Sequence, residues 1–398
     1  MSLPTADEYF DRIHRITSLL DEENIKIISA MKKYGPRNLQ HISRKSGVPY
    51  PTVYTRVTKL EGEGLLQTWA SPDHSRIGLA RGVVLLTPVP GRELLAREAL
   101  KIPGYWLRVI RCSGEINGYY SLQAIPSNNR QDFEQYLDQL IASGIAASYR
   151  IFWLGDFRSK IPNFEYYDSK RKAWKFEWKA WLKFAPDEKH SEQTNEIMVE
   201  KVSFDKNDLL ILKELEKNAR RKLSEFAQMI GVTLPAAKYR FDNIVKKGLV
   251  QDYVIDILPY APEVSELYEI RLDYPDENHL AAREKWLQRL PFVLNYSRIR
   301  GANSVTARMY MPRGEVNNLI TLLSSWVREG VLDRFSYMAL DPMTIEAQTF
   351  SYEQFDDKNG WHFDNREYLN ALRNLVSAFE TKVPTPAPFQ APTLITLQ

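Results

Sequence analysis

At 398 residues, with 44% apolar and 26% charged side chains, the chain is too long for one usual core and reads as a globular protein of roughly two to four domains. No apolar run approaches the roughly 18 residues of a spanning helix, and the first residues lack a basic-then-apolar leader, so the expected location is the cytoplasm. Cys112 is the one cysteine and the six histidines are scattered, which excludes a disulfide framework or a closed metal site, while a net charge of +3 leaves nucleic-acid binding to be decided locally.

In chain order, Phe10, Ile13, Ile16 and Leu20 first mark an amphipathic helix. Ile25, Ile28 and Met31 predict the next, with Asp21 as its N-cap. A second helix is expected over 39–46, then a tight turn at Gly47, then a third helix with Pro51 in its first turn, where a missing N–H costs little. In that third helix Val53, Val57 and Leu60 point inward and leave Thr52, Thr55, Arg56 and Lys59 outside. Extended residues after Gly64 predict a β wing, with His74, Arg76 and Arg81 as candidates to reach an adjacent phosphate.

Strands at 82–88, 105–112, 116–125 and 147–154 alternate with helices at 91–100 and 129–143. The order is βαββαβ, that of a ferredoxin-like unit. Between 156 and 200 a hairpin and linker are expected, too long to be a structureless loop. The basic, aromatic stretch 170–184 (KRKAWKFEWKAWLKF) admits single-strand stacking. Its counterpart at 357–369 is far less basic, which favours packing for the shared tryptophan and phenylalanine; whether 178–182 is helix or strand stays open.

From residue 201 the pattern returns. Residues 20–67 fall without gaps on 204–251, and about a dozen of these 48 positions are identical, among them Asp21/Asp205, Arg37/Arg221, Pro51/Pro235, Arg56/Arg240 and Gly64/Gly248. A tandem duplication is the natural reading. The second unit again gives three helices, the last burying Ala237, Phe241 and Ile244 and exposing Ala236, Lys238, Tyr239, Arg240 and Asn243. Strands at 266–273, 292–300, 303–311 and 331–340 with helices at 277–290 and 314–329 repeat the βαββαβ order. The Asn359-Gly360 pair signals a hairpin, Tyr368, Leu369, Leu372 and Leu375 a C-terminal helix, and 382–398 a proline-rich tail.

The expected fold class is α+β: two winged helix-turn-helix domains alternating with two ferredoxin-like domains. The boundaries are 1–81, 82–155, 156–200, 201–260, 261–342, 343–381 and 382–398. Residues 20–81 and 204–250 each hold ten basic and six acidic side chains, an excess of four that suits phosphate contact. No nucleophile elbow, phosphate loop or HExxH pattern occurs, so neither a catalytic residue, a cofactor nor a metal is expected.

The stretch 204–257, with Asp205, Asp208, Asn218-Ala219-Arg220, Gly231-Val232, Arg240 and Gly248, resembles the winged domain of the Lrp/AsnC (feast/famine, leucine-responsive) regulators. The βαββαβ unit after it resembles that family's effector-binding and oligomerisation domain. The resemblance implies a transcription regulator that binds double-stranded DNA through paired winged helices, as a homo-oligomer or, here, an intramolecular pseudo-dimer, with no membrane partner. Base-edge candidates are then Thr52, Tyr54, Thr55 and Lys59 in the first head and Ala236, Lys238, Tyr239 and Asn243 in the second. Arg56 and Arg240 are backbone or structural candidates, and Arg76, Lys246 and Lys247 are phosphate candidates. A small-molecule effector, if one binds, is expected near Gly114, Glu115, Gly301 and Asn303, although the family's turn commonly reads Gly-Asp.

Copy one departs from the pattern with YGPRN in place of NARRK and with Pro49 in place of Thr233, and Lys222 is a poor cap. The sirohaem decarboxylases resemble paired Lrp-like chains and supply an enzyme alternative. Their arginine-rich wing and strand histidine are not matched by Gln251-Asp252-Tyr253. A protein-interaction module within a transcription complex is the remaining alternative.

Overall fold

The computed structural model describes residue 16 and residues 18–183 and 202–380. Most of the expected first helix and the proline-rich tail lie outside them.

Each three-helix unit is built from a capped first helix and a glycine-terminated turn. In the first unit α1 spans Glu22–Tyr34, α2 Leu39–Ser46 and α3 Tyr50–Gly62. The Asn24 N–H donates to the Asp21 carboxylate at 2.8 Å, satisfying one of the helix's orphan donors. Gly47 ends α2 in the left-handed region (φ 73°), where a side chain would be strained. Ile27, Ile28, Met31, Ile42, Val53 and Val57 meet beneath the three helices and are fully sequestered.

The strand that follows, β1 (Leu66–Pro72), does not fold back as a wing of its own head. It pairs antiparallel with the equivalent strand of the other unit, β8 (Val250–Ile257), from Leu66 against Ile257 through Ser71 against Asp252. The expected wings are therefore one ribbon shared by two heads. Apolar alternation in LQTWASP and VQDYVIDI cannot distinguish the two pairings, because both bury the same faces.

The second head repeats the order with α7 (Lys206–Lys217), α8 (Leu223–Met229) and α9 (Leu234–Lys246). Here Asp205 and Asp208 form a reciprocal capping box. Each ribbon strand packs on the head it did not come from: β1 against α7, and β8 against α1, where Ile255 and Ile257 join the first head's core.

Between the heads lie β2 (Leu79–Pro88), α4 (Glu93–Ala99), β3 (Trp106–Gly114), β4 (Gly118–Pro126), α5 (Arg130–Ala142) and β5 (Ala146–Ser159). After the second head come β9 (Ser265–Asp273), α10 (Glu277–Leu287), β10 (Val293–Ile299), β11 (Ser304–Pro312), α11 (Val316–Arg328) and β12 (Arg334–Leu340). Both are βαββαβ with sheet orders β5-β2-β4-β3 and β12-β9-β11-β10, joined at β10–β5 and at β12–β3. Eight antiparallel strands thus close on themselves, which removes exposed edges. Residues 156–159, assigned from sequence to the linker, instead extend β5, with Ser159 pairing against Asn295 to make one of the two joins.

The extensions after each sheet cross over. After the small hairpin β6 (Tyr167–Asp168) and β7 (Ala173–Trp174), α6 (Trp178–Lys183) packs on α11 of the other unit. Trp178 donates to Glu315 at 2.6 Å and stacks on Phe292 at 5.6 Å. Reciprocally, β13 (Glu346–Ala347) pairs with β3, and after the hairpin β14 (Phe355–Asp356) and β15 (Gly360–Trp361) the long α12 (Asn365–Glu380) covers α4 and α5. The aromatic stretch 170–184 is accordingly a packing cluster: Trp174, Phe176, Trp178 and the buried Trp181 stack among Tyr260 and Phe292.

Candidate nucleic-acid interface

The third helix of each head presents its outer face to solvent. On α3, Val53, Val57 and Leu60 are buried while Tyr54 is 53% exposed, Thr55 and Lys59 are exposed and Thr52 is half-buried. Tyr50, in the first turn of α3 and not among the residues predicted from sequence, is also exposed, its ring 6.3 Å from that of Tyr54. Thr58 extends the same surface. On α9, Tyr239 is 69% exposed, Lys238 is exposed, and Ala236 and Asn243 are half-buried. A helix whose N-terminal turns carry such side chains matches the docking mode of a helix-turn-helix reader.

The helices start differently. Thr233 accepts the Ala236 N–H at 3.4 Å, whereas Pro49 offers α3 no side-chain cap. Lys222 likewise leaves α8 without a side-chain cap bond.

The two arginines matched at 56 and 240 face inward along the head. Arg56 donates to Asp21 at 2.6 Å and contacts Glu23; Arg240 donates to Asp205 at 2.9 Å and to Asp208 at 2.7 Å. Partial burial would lower each guanidinium's pKa, but the facing carboxylates outweigh it and raise it. Each arginine ties the third helix to the N-cap of the first.

The lysines differ from them. Lys59 lies 3.9 Å from Glu63, and Lys238 lies 2.6 Å from Asp242, both as exposed i,i+4 pairs. Such pairs contribute little and exchange readily for a phosphate. Lys246 is exposed at the end of α9. Lys247 is held by its own head, donating to the Ser203 carbonyl at 2.5 Å.

The expected wing contacts are corrected. Arg76 donates to the Lys247 carbonyl at 3.0 Å and pairs with Asp73 at 3.2 Å, its guanidinium lying against Gly248. It joins the segment after the ribbon to the second head. His74 is buried, and burial followed by the nearby Arg81 charge pushes its pKa down to about 3. Arg81 lies within β2 and its guanidinium turns into the sheet interior.

The heads are bolted to each other. Arg37 donates to the Ala219 carbonyl and, at 2.8 Å, to that of Arg221, and covers the Phe241 ring at 4.4 Å. Arg220 pairs with Glu61 at 2.8 Å. Lys32 reaches Asp252 at 2.8 Å, and Ser159 shares that carboxylate.

Of the effector candidates, Glu115 lines a cavity inside the barrel together with Phe152, Arg271 and Thr306. Gly114 (φ 121°) sits in the β3–β12 join, where a Cβ would lie 2.9 Å from the Tyr337 carbonyl. Glu115 pairs with Arg150 at 2.6 Å. Gly301 and Asn303 form the exposed β10–β11 turn, in which the Asn303 carbonyl accepts from Tyr274. No cluster of metal-ligating side chains occurs among the described residues, and no helix among them is long and apolar enough to cross a membrane.

Residues 204–251 match the family model of a winged helix-turn-helix DNA-binding domain. An uncharacterized HTH-type transcriptional regulator of Pyrococcus furiosus is 30% identical over 108 residues, 27% of this chain and 70% of the relative. The HTH-type transcriptional regulator LrpA of Pyrococcus abyssi is 28% identical over 111 residues, 28% of this chain and 78% of the relative. Among solved structures, the siroheme decarboxylase NirDL superposes with a TM-score of 0.52 over 90% of this chain and 100% of its own, at 10% identity, a likeness of fold. The capped three-helix head, its exposed third helix and these relatives together place the chain in the Lrp/AsnC family of helix-turn-helix transcriptional regulators.

Proposed function

We propose that the chain is a sequence-selective regulator of double-stranded DNA that carries two unequal reading heads in one covalent pseudo-dimer, the product of a tandem duplication. The observation that carries this reading is the shared ribbon: β1 and β8 pair over their whole length, so two exposed third helices are held at a fixed separation, as paired half-sites require. Thr52, Tyr54, Thr55 and Lys59 form one reading face and Ala236, Lys238, Tyr239 and Asn243 the other. Because the faces differ, the two half-sites differ. Footprinting on genomic fragments at low and moderate salt tests this: a protected, salt-sensitive site is expected, and no protection on any fragment would refute it.

A second reading, an enzyme of the same architecture, is favoured by one observation, the end-to-end fold likeness to NirDL. A structure of that enzyme holds an iron-uroporphyrin III analogue. Mixing the purified chain with sirohaem separates the readings: a spectral shift followed by loss of carbon dioxide would support the enzyme, and an unchanged spectrum the regulator.

A further inference from the structure

The outer face of α3 is short of the side chains that read bases by hydrogen bonding. In the major groove an arginine or lysine pairs with guanine, an asparagine or glutamine with adenine, and an acid with cytosine. The helix Tyr50–Gly62 (YPTVYTRVTKLEG) contains no asparagine, glutamine or aspartate. Its one arginine, Arg56, is held by Asp21 and Glu23, and Glu61 is paired with Arg220 of the other head at 2.8 Å. Lys59 is the reader that is left, and it sits in the last turn, whereas the first turns of such a helix are the ones that reach base edges.

What those first turns do present is methyl groups and rings. Thr52, Thr55 and Thr58 follow one another at a spacing of three, which sets them side by side in one row on the helix surface; the first is half-buried and the other two are exposed. A threonine hydroxyl both donates and accepts, so it fits any base edge, but a methyl discriminates, because thymine alone carries a methyl in the groove. Beside that row the exposed Tyr50 and Tyr54 rings lie 6.3 Å apart, tilted by 42°.

The second head supplies the contrast. At the positions matching Tyr54, Thr58 and Lys59, α9 carries Lys238, Asp242 and Asn243, and the row of threonines is gone. Hydrogen-bonding readers stand there in place of methyls.

We propose that the first head recognises its half-site through the C5 methyl groups of thymines, met by the methyls of Thr52, Thr55 and Thr58, with the Tyr50 and Tyr54 rings closing the contact to water. This rests on the reading of the chain as a DNA-binding regulator.

The test selects duplexes from a random pool on the full chain. The enriched duplex is then resynthesised with uracil for thymine in one half-site at a time, a change that removes the methyl and keeps every hydrogen bond. Uracil in one of the half-sites is expected to weaken binding by about three- to fourfold for each methyl contacted. Thr52→Ser with Thr55→Ser, which deletes methyls and keeps hydroxyls, should lose most of that discrimination. Thr52→Val with Thr55→Val, which deletes hydroxyls and keeps methyls, should retain it. Serine, valine and threonine differ little in helix propensity, so both variants should fold. An enriched duplex without thymine in either half-site, equal binding of thymine and uracil duplexes, or discrimination undiminished in the serine variant would overturn this inference alone. Failure to enrich any duplex would overturn the regulator reading and this inference with it.

Discussion

Arg56 and Arg240 show how one residue type at one repeat position is committed by its neighbours. Asp21 and Asp205 each cap a helix and receive an arginine from the third helix of the same head, so the arginines are spent on holding the head together. Asp205→Ala, losing cap and ion pair together, should destabilise its head by about 1–2 kcal/mol in chemical unfolding. Lys59→Ala and Lys238→Ala should instead leave unfolding nearly unchanged and each reduce the salt slope of DNA binding by about one. His74 makes a different prediction. Its folded pKa, about 3, lies below the unfolded value of 6.5, so the folded state binds fewer protons between these limits. The stability gained by burying it neutral is complete above pH 6.5 and is lost as pH falls towards 3. Its ring resonances should report a neutral imidazole down to pH 5; protonation near pH 6.5 in the folded protein would contradict this burial.

At the scale of elements, the unlike starts of α3 and α9 set an asymmetry that can be engineered. Pro49 adopts φ −55° and ψ 141°, close to the −70° and 157° of Thr233, so Pro49→Thr should fit and add a cap. The expected gain is about 0.5–1 kcal/mol, read as a rise in the denaturant midpoint. Gly114→Ala should do the opposite at the barrel join, where positive φ and the nearby Tyr337 carbonyl leave no room for a Cβ; a cost of about 1–3 kcal/mol is expected in the same measurement. Local periodicity makes these elements legible. Apolar spacing finds both sets of helices, and glycine turns locate their ends. What remains hidden is pairing: the residues after Gly64 and Gly248 are recognisably extended, but nothing within seven or eight residues says that their partner lies in the other head. The same limit put Arg76, His74 and Arg81 on a wing that does not form. A basic residue two positions into a strand looks like a surface charge until the barrel closes around it.

For the molecule as a whole, reciprocal exchange makes the two halves inseparable. Each ribbon strand packs on the opposite head, α6 covers the opposite sheet's helix, and α12 returns to α4 and α5. The offset of 184 residues makes the two halves legible, but the crossing of their extensions arises only from tertiary packing that burial patterns do not order. Arg37 and Arg221 illustrate the consequence. They occupy equivalent positions, yet Arg37 crosses to the other head's carbonyls while Arg221 pairs with Glu214 and Glu225 of its own. The heads are alike in design and unlike in surroundings, while the unequal half-sites proposed above follow from the residues that differ on their reading faces. High-resolution footprinting of one DNA fragment, with the intact chain and with variants altered on one reading face at a time (Thr55→Ala with Lys59→Ala, or Lys238→Ala with Asn243→Ala), tests that claim most directly. Two adjoining, unlike protected half-sites from a single chain are expected, each variant losing one of them. Identical half-sites that both fade in either variant, or no protected site at all, would contradict it.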